Sequence, residues 1–224
     1  MPKLSIIIPV LNEEQYLIRN QKMITRLLED GHEILIVDGG SQDNSLNTAC
    51  KLGCKVFSTR ASRGHQLHYG AERSKHELLL FLHADTLLPP NVAQAIVQTL
   101  SMPNQHWGRF NVRFSNSKLI FRIIAWLMNK RSCLTRIVTG DHAMFIRREC
   151  YFNCGGYSDI PIMEDVEFCL RLKKNKAPAC LSDEVITSSR KWEQNGICCT
   201  VLMMWKLRLM FFFGVSPEKL AKLY

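Results

Sequence analysis

The chain is expected to fold as an α/β protein, with a mostly parallel sheet flanked by helices and a less regular second half. Three observations carry that expectation. Ile34-Leu35-Ile36-Val37 and Leu79-Leu80-Phe81-Leu82 are unbroken apolar runs. Four such residues without polar alternation mark a strand buried on both faces. Each run is closed by an acid, Asp38 at once and Asp85 after His83-Ala84, at the edge where open α/β sheets bind ligands. Across the first half, strands alternate with helical segments, which implies parallel strands joined by right-handed crossovers.

Taken in order, residues 4–10 form the first strand. Asn12-Glu13-Glu14 opens a helix running to about residue 29, since acids suit a helix N-terminus, and Gly31 closes it. Residues 33–37 are the second strand, 45–52 a helix and 54–58 a short third strand. The polar stretch 60–75 is mostly helix, 77–82 the fourth strand, and Pro89-Pro90 starts a helix ending near Leu100. No Gly-x-Gly-x-x-Gly follows the first strand, which argues against a dehydrogenase-type dinucleotide fold. Further on, 107–114 alternates as a half-exposed strand, 118–130 is an amphipathic helix, 143–147 a strand, Gly155-Gly156-Tyr157 a turn and 164–174 a helix. No Ser/Gly/Pro-rich linker and no repeat interrupts the chain, so one domain over 1–224 is expected, in two halves, 1–105 and 106–224.

The bulk numbers narrow the partners. At 224 residues, 46% hydrophobic and 22% charged, the chain can bury a sizeable core and is not of disordered composition. The net charge of +9 suits phosphate-bearing ligands or anionic membranes. Nucleic acid comes last, because RNA-binding and zinc-finger signatures are missing. The nine cysteines include no Cys-x-x-Cys, so they read as thiols in a reducing compartment rather than zinc or redox ligands. No leader pattern precedes the first strand, which points to a cytoplasmic protein.

Four segments, in order and correctly spaced, resemble family 2 glycosyltransferases of the GT-A fold. They are Ser5-Ile6-Ile7-Ile8-Pro9-Val10-Leu11-Asn12-Glu13, Ile36-Val37-Asp38-Gly39-Gly40-Ser41, Leu82-His83-Ala84-Asp85 and Met163-Glu164-Asp165. The resemblance implies that residues 1–105 bind the nucleotide of a nucleoside-diphosphate sugar and 106–224 form the acceptor half. Asp38 would receive hydrogen bonds from the base, with Pro9, Leu11 and Glu13 lining the nucleoside pocket and Arg63 and Ala84 nearby. Asp85 would hold a divalent cation, Mn²⁺ or Mg²⁺, against the diphosphate, where it stabilises charge on the leaving group. Asp165 would be the base that deprotonates the acceptor hydroxyl, with Glu164 orienting it or exchanging roles, in an inverting transfer. Each acid also has a plainer reading: Asp38 as a helix cap, Asp85 as a turn residue, Asp165 as a charge favoured at a helix N-terminus. The ending Gly214-Val215-Ser216-Pro217-Glu218-Lys219-Leu220 further resembles a short soluble bacterial subgroup associated with arsenosugar biosynthesis.

The departures from the family pattern matter as much. Asp-x-Asp is usual where this chain has His83-Ala84-Asp85, so His83 would contact ribose, a metal-bound water, or the metal itself, and imidazole suits Mn²⁺ better than Mg²⁺. Arg60, Arg63, His65, His68 and Arg73 either neutralise phosphate or form a solvated basic face. Gly140-Asp141-His142 and Arg190-Lys191-Trp192 are expected on the acceptor side, with His142, Arg190 and Trp192 as the binding residues. The Gln-x-x-Arg-Trp of processive synthases is absent, which disfavours polymer synthesis. A nucleotidyltransferase would carry a glycine-rich loop where Asn12-Glu13-Glu14 stands; the His83 replacement keeps a catalytically weakened nucleotide-sugar-binding protein as an alternative, against which Asp38, Asp85 and Asp165 together argue. The apolar stretch 197–213 contains Lys206 and Arg208 and is a poor span. It is expected to pack on the domain or on a homodimer partner, with peripheral contact at the inner membrane face as the competing reading.

Overall fold

Leu4, Ile6, Ile8 and Val10 pack into one buried cluster, and Ile7 between them packs into another. That is why the first strand is apolar without a break: alternate side chains leave opposite faces of a sheet covered on both sides. The computed structural model describes residues 2–174 and 176–224, the Lys191 side chain excepted. Strands β1 (Leu4–Val10), β2 (Glu33–Asp38), β3 (Lys55–Ser58) and β4 (Leu78–Phe81) run parallel in the order β3-β2-β1-β4. The crossovers are α1 (Glu14–Arg19), α2 (Gln21–Glu29), α3 (Ser45–Lys51) and α4 (Arg63–Glu72). The expected first helix is therefore two. It breaks at Asn20, whose backbone is non-helical and whose buried side chain donates to the Ala84 carbonyl at 2.8 Å.

Helix α5 (Val92–Leu100) starts beyond Pro89 and Pro90, which lie ahead of it rather than in its first turn. Strand β5 (Trp107–Phe114) follows, then α6 (Leu119–Thr135), a 3-10 turn at Gly140–His142, β6 (Phe145–Arg147) and α7 (Arg148–Asn153). Helix α8 (Glu164–Leu172), β7 (Ala179–Thr187), α9 (Arg190–Asn195), α10 (Ile197–Phe212) and α11 (Pro217–Ala221) complete the described chain. The described strands form one sheet, β3-β2-β1-β4-β6-β5-β7, in which β6 alone runs against the rest. β5 is mostly buried, not half-exposed, because Trp107, Phe110, Val112 and Phe114 each enter a buried cluster packed on the sheet. No strand is expected from the sequence where β7 lies. Cys133 and Cys180 are joined in a disulfide between α6 and β7, with Cα atoms 6.2 Å apart, which corrects the expectation of thiols throughout.

Parallel pairing brings the C-terminal ends of β1, β2 and β4 to one edge, with Val10 beside Asp38 and Ile7 beside Phe81. The chain turns to opposite sides of β1 to make β2 and β4, and the crevice at such a switch point is the place for a ligand.

Candidate functional site

An open cleft of about 490 Å³ lies at that edge, lined in part by Pro9, Leu11, Glu13, Arg63, His83, Ala84 and Asp85. Seven of the predicted residues thus converge from β1, the start of α1, α4 and the loop after β4. Asp38 sits just outside, 1% exposed. Its carboxylate accepts from the Gly40 N–H at 2.8 Å, the Ser41 N–H at 3.0 Å and the Ser41 hydroxyl, so it caps its own loop. Gly40 at φ 98° makes that turn accessible.

The far wall is acidic. Burial raises the carboxyl of Glu13 above its usual range, Asp85 raises it further, and Arg190 opposes. Glu13 Oε2 is buried with no hydrogen-bond partner among the described residues. Burial likewise raises Asp85, against the Thr86 hydroxyl 3.2 Å away and the cations Arg63 and Arg190. The Asn20 bond to Ala84 holds the backbone just before Asp85.

Arg63, the first residue of α4, anchors the near wall. Its Nε lies 3.3 Å from Glu164 and its Nη2 3.5 Å from Asp165. Asp165 also accepts from the Gly140 N–H at 2.8 Å. Burial opposes protonation of the guanidinium, yet Asp165, Glu164 and Asp141 raise its pKa overall. Burial lifts Glu164 to about 7, with Asp165 adding and Arg63 opposing. Burial also lifts Asp141 to about 6, where Arg63 opposes and Asp85 and Asp165 add. His83 is in this network: Nε2 meets the Arg63 guanidinium and Nδ1 lies 3.6 Å from Asp141. A ligand role for His83 would need its ring to turn. A Cβ at Gly140 would displace the Arg63 guanidinium and the His83 ring from this network.

The acceptor-side expectations separate. His142 is fully buried, and burial with Arg109 and Arg131 lowers its ring to about 3. It does not face the cleft, because the 3-10 turn directs it inward, where Nδ1 lies 3.2 Å from the Thr139 hydroxyl. Trp192 packs edge-on against Phe114 at 5.5 Å, a structural contact. Arg190 is exposed, lies 5.0 Å over the Tyr16 ring, and acts on both Glu13 and Asp85. In the basic segment, Arg60 pairs with Asp159, and Arg73 stacks on Tyr69, so those two cations are engaged elsewhere. Sequence reasoning missed Asn20 and Gln66, and expected Asp141 on the acceptor side, where the structure sets it against His83. Gln66 is buried and donates to the carbonyls of Val10 and Val37 at 3.1 and 2.7 Å, tying α4 to two strand ends. No local pattern marks Asn20 or Gln66; each matters through a distant partner.

Among the described residues, no three His, Cys, Asp or Glu side chains are grouped to hold a metal ion. A cation shared with a diphosphate needs only one or two protein carboxylates. Asp85, beside the unpartnered oxygen of Glu13, fits that requirement.

The sequence model described as Glycosyl transferase family 2 matches residues 5–157. Over 105 residues the chain is 33% identical to undecaprenyl-phosphate 4-deoxy-4-formamido-L-arabinose transferase of Pseudomonas paraeruginosa, covering 42% of this chain and 31% of that protein. Its fold is similar to TarS of S. aureus in complex with UDP-GlcNAc, with a TM-score of 0.64 at 15% identity, covering 83% of this chain and 58% of that one. It is also similar to the mannosyltransferase PcManGT of Pyrobaculum calidifontis in complex with GDP-Man and Mn²⁺, with a TM-score of 0.63 at 17% identity, covering 83% and 56%. The chain spans about a third of the length of the curated relatives it matches. At such low identity the solved structures show the fold alone.

Proposed function

The chain belongs to glycosyl transferase family 2, and from that premise we propose that it moves a sugar from a nucleoside-diphosphate sugar to an acceptor hydroxyl, with inversion. The observation that supports this best is one cleft with two chemically different walls. Glu13, Asp85 and Arg63 line it, and the buried Glu164 and Asp165 lie behind Arg63, paired with its guanidinium. In this reading Pro9 and Leu11 pack on the nucleoside, and Asp38 stiffens the loop beside the base. Arg190 approaches the diphosphate from the acidic wall. A divalent cation at Asp85, Mn²⁺ or Mg²⁺, would neutralise charge on the leaving diphosphate. Asp165, oriented by the Gly140 N–H and Arg63, takes the acceptor proton as the hydroxyl attacks. Glu164, raised to about 7, shares the Arg63 guanidinium and orients its neighbour. His83 fixes Arg63 rather than binding metal directly.

Cytoplasmic action, where nucleotide sugars are made, is part of the same proposal. The narrower placement in an arsenosugar-associated bacterial subgroup rests on residues 214–220, outside the family match at 5–157. The test is a thermal-shift screen of UDP-, GDP- and dTDP-sugars with and without Mn²⁺. One donor should raise the melting temperature in the presence of metal, and Asp85→Ala should abolish that rise while the unliganded protein melts as before. A donor response in Asp85→Ala equal to that of the parent chain would remove Asp85 from the site.

A further inference from the structure

Two helices hold large apolar side chains out into solvent. On α6, Ile120, Ile123, Leu127 and Leu134 recur three, four and seven residues apart, beside Trp126 at 58% exposure. That stripe runs alongside the buried face formed by Phe121, Ile124 and Ala125. On α10, Leu202, Trp205, Leu209 and Phe212 do the same, opposite the buried Leu207, with Trp205 71% and Phe212 79% exposed. Exposed apolar residues scattered singly are ordinary, whereas a stripe along each of two helices marks an interaction surface. The helices are neighbours at one end, because Ile197, the first residue of α10, packs on the inner cluster of α6.

The charge around these stripes has one sign. Residues 115–140 contain Lys118, Arg122, Lys130, Arg131 and Arg136 and no acid. Residues 194–217 contain Lys206 and Arg208 and no acid. By helical spacing, Lys206 and Arg208 flank the Leu202–Leu209 line on either side, and Lys130 lies within the α6 stripe. A second copy of this chain would set cations against cations with no carboxylate on either helix to pair them. Among the described residues no helix is long and apolar enough to cross a membrane. An apolar stripe bordered by cations is instead what a helix lying in a lipid headgroup layer needs: aliphatic and aromatic groups enter the acyl boundary, and Lys and Arg stems extend to the phosphates.

We propose that α6 and α10 together form a surface that rests on an anionic lipid bilayer. The proposal is independent of the donor chemistry, so its failure leaves the transferase reading untouched. The test is co-sedimentation with phosphatidylcholine vesicles containing phosphatidylglycerol and with phosphatidylcholine vesicles alone. The protein should bind the anionic vesicles, lose binding as salt is added, and shift Trp126 and Trp205 fluorescence to the blue. The triple variant Arg122→Gln, Lys130→Gln, Lys206→Gln alters only exposed side chains and should bind roughly a hundredfold more weakly, at about fivefold per cation. Trp205→Ser with Leu209→Ser should lose binding while melting as the parent chain does. Equal binding to both vesicle types, no binding to either, or unchanged binding by these variants would overturn the proposal. So would a concentration-dependent dimer, seen by light scattering, that the Trp205→Ser, Leu209→Ser variant abolishes.

Discussion

Asp165 is held by two donors of different kinds, a backbone N–H at 2.8 Å and a guanidinium at 3.5 Å. Asp165→Asn preserves size and can still accept from Gly140 but cannot take up a proton. Turnover should fall by roughly 10²–10⁴ while donor affinity persists, checked by measuring kcat and nucleotide-sugar binding separately. Near-normal turnover would transfer the role to Glu164. Glu164 itself makes a prediction about pH. Its folded pKa of about 7 stands above the usual 4.5 because burial and Asp165 disfavour the charge. The folded state therefore binds more protons between those values, and the stability this contributes is complete below 4.5 and lost as pH rises through 7. Glu164→Gln removes the titration. It should stabilise the protein above pH 7 by on the order of 1–3 kcal/mol and change little below 4.5, read as melting temperatures on both sides of the window.

At the scale of elements, the site depends on α4 lying tightly on the sheet, since its first residue is Arg63 and its Gln66 ties two strand ends. Gly70 permits that approach. A Cβ there would stand 2.6 Å from Ile7 Cγ2 and 3.0 Å from Val37 Cγ2, both in the core. Gly70→Ala should therefore destabilise by about 1–3 kcal/mol, seen as a lower urea midpoint with an unchanged slope. The corner between α1 and α2 serves the other wall. The helical pattern runs through Asn20, but its bond to the Ala84 carbonyl outweighs one turn of continuous helix.

For the whole molecule, the less regular half surrounds His142 with Arg109 and Arg131, and hydrogen bonds to the Thr139 and Met128 backbone only partly offset the cost of a third positive charge. Burial and those cations depress the ring from 6.5 to about 3. The unfolded chain binds this proton first, so the stability involved is present above 6.5 and is lost as pH falls toward 3. His142→Gln should flatten the fall in melting temperature across that interval. Glu164 titrates in the opposite sense above 4.5 and offsets His142 there, so the flattening should be clearest below 4.5, measurable by the same melts.

What the sequence determined alone follows from local physics. Short apolar runs bounded by polar and turn residues read as strands covered on both faces, so β1, β2 and β4 are legible, as is the position of Asp38 and Asp85 at or just beyond their C-terminal ends. The family motifs likewise single out Glu13, Arg63, Glu164 and Asp165 as candidates. The tertiary structure decided what depends on partners far along the chain. β7 alternates half-buried and exposed residues, including Asp183 and Glu184, and becomes a strand by pairing with β5. Arg63 meets Asp165 across 102 residues of sequence, and the turn at Gly140 that completes this contact also sends His142 inward and brings Asp141 to His83. Local patterning reports which face of an element is buried. It does not report what that face is buried against, and at this site that second fact sets the charge on each acid.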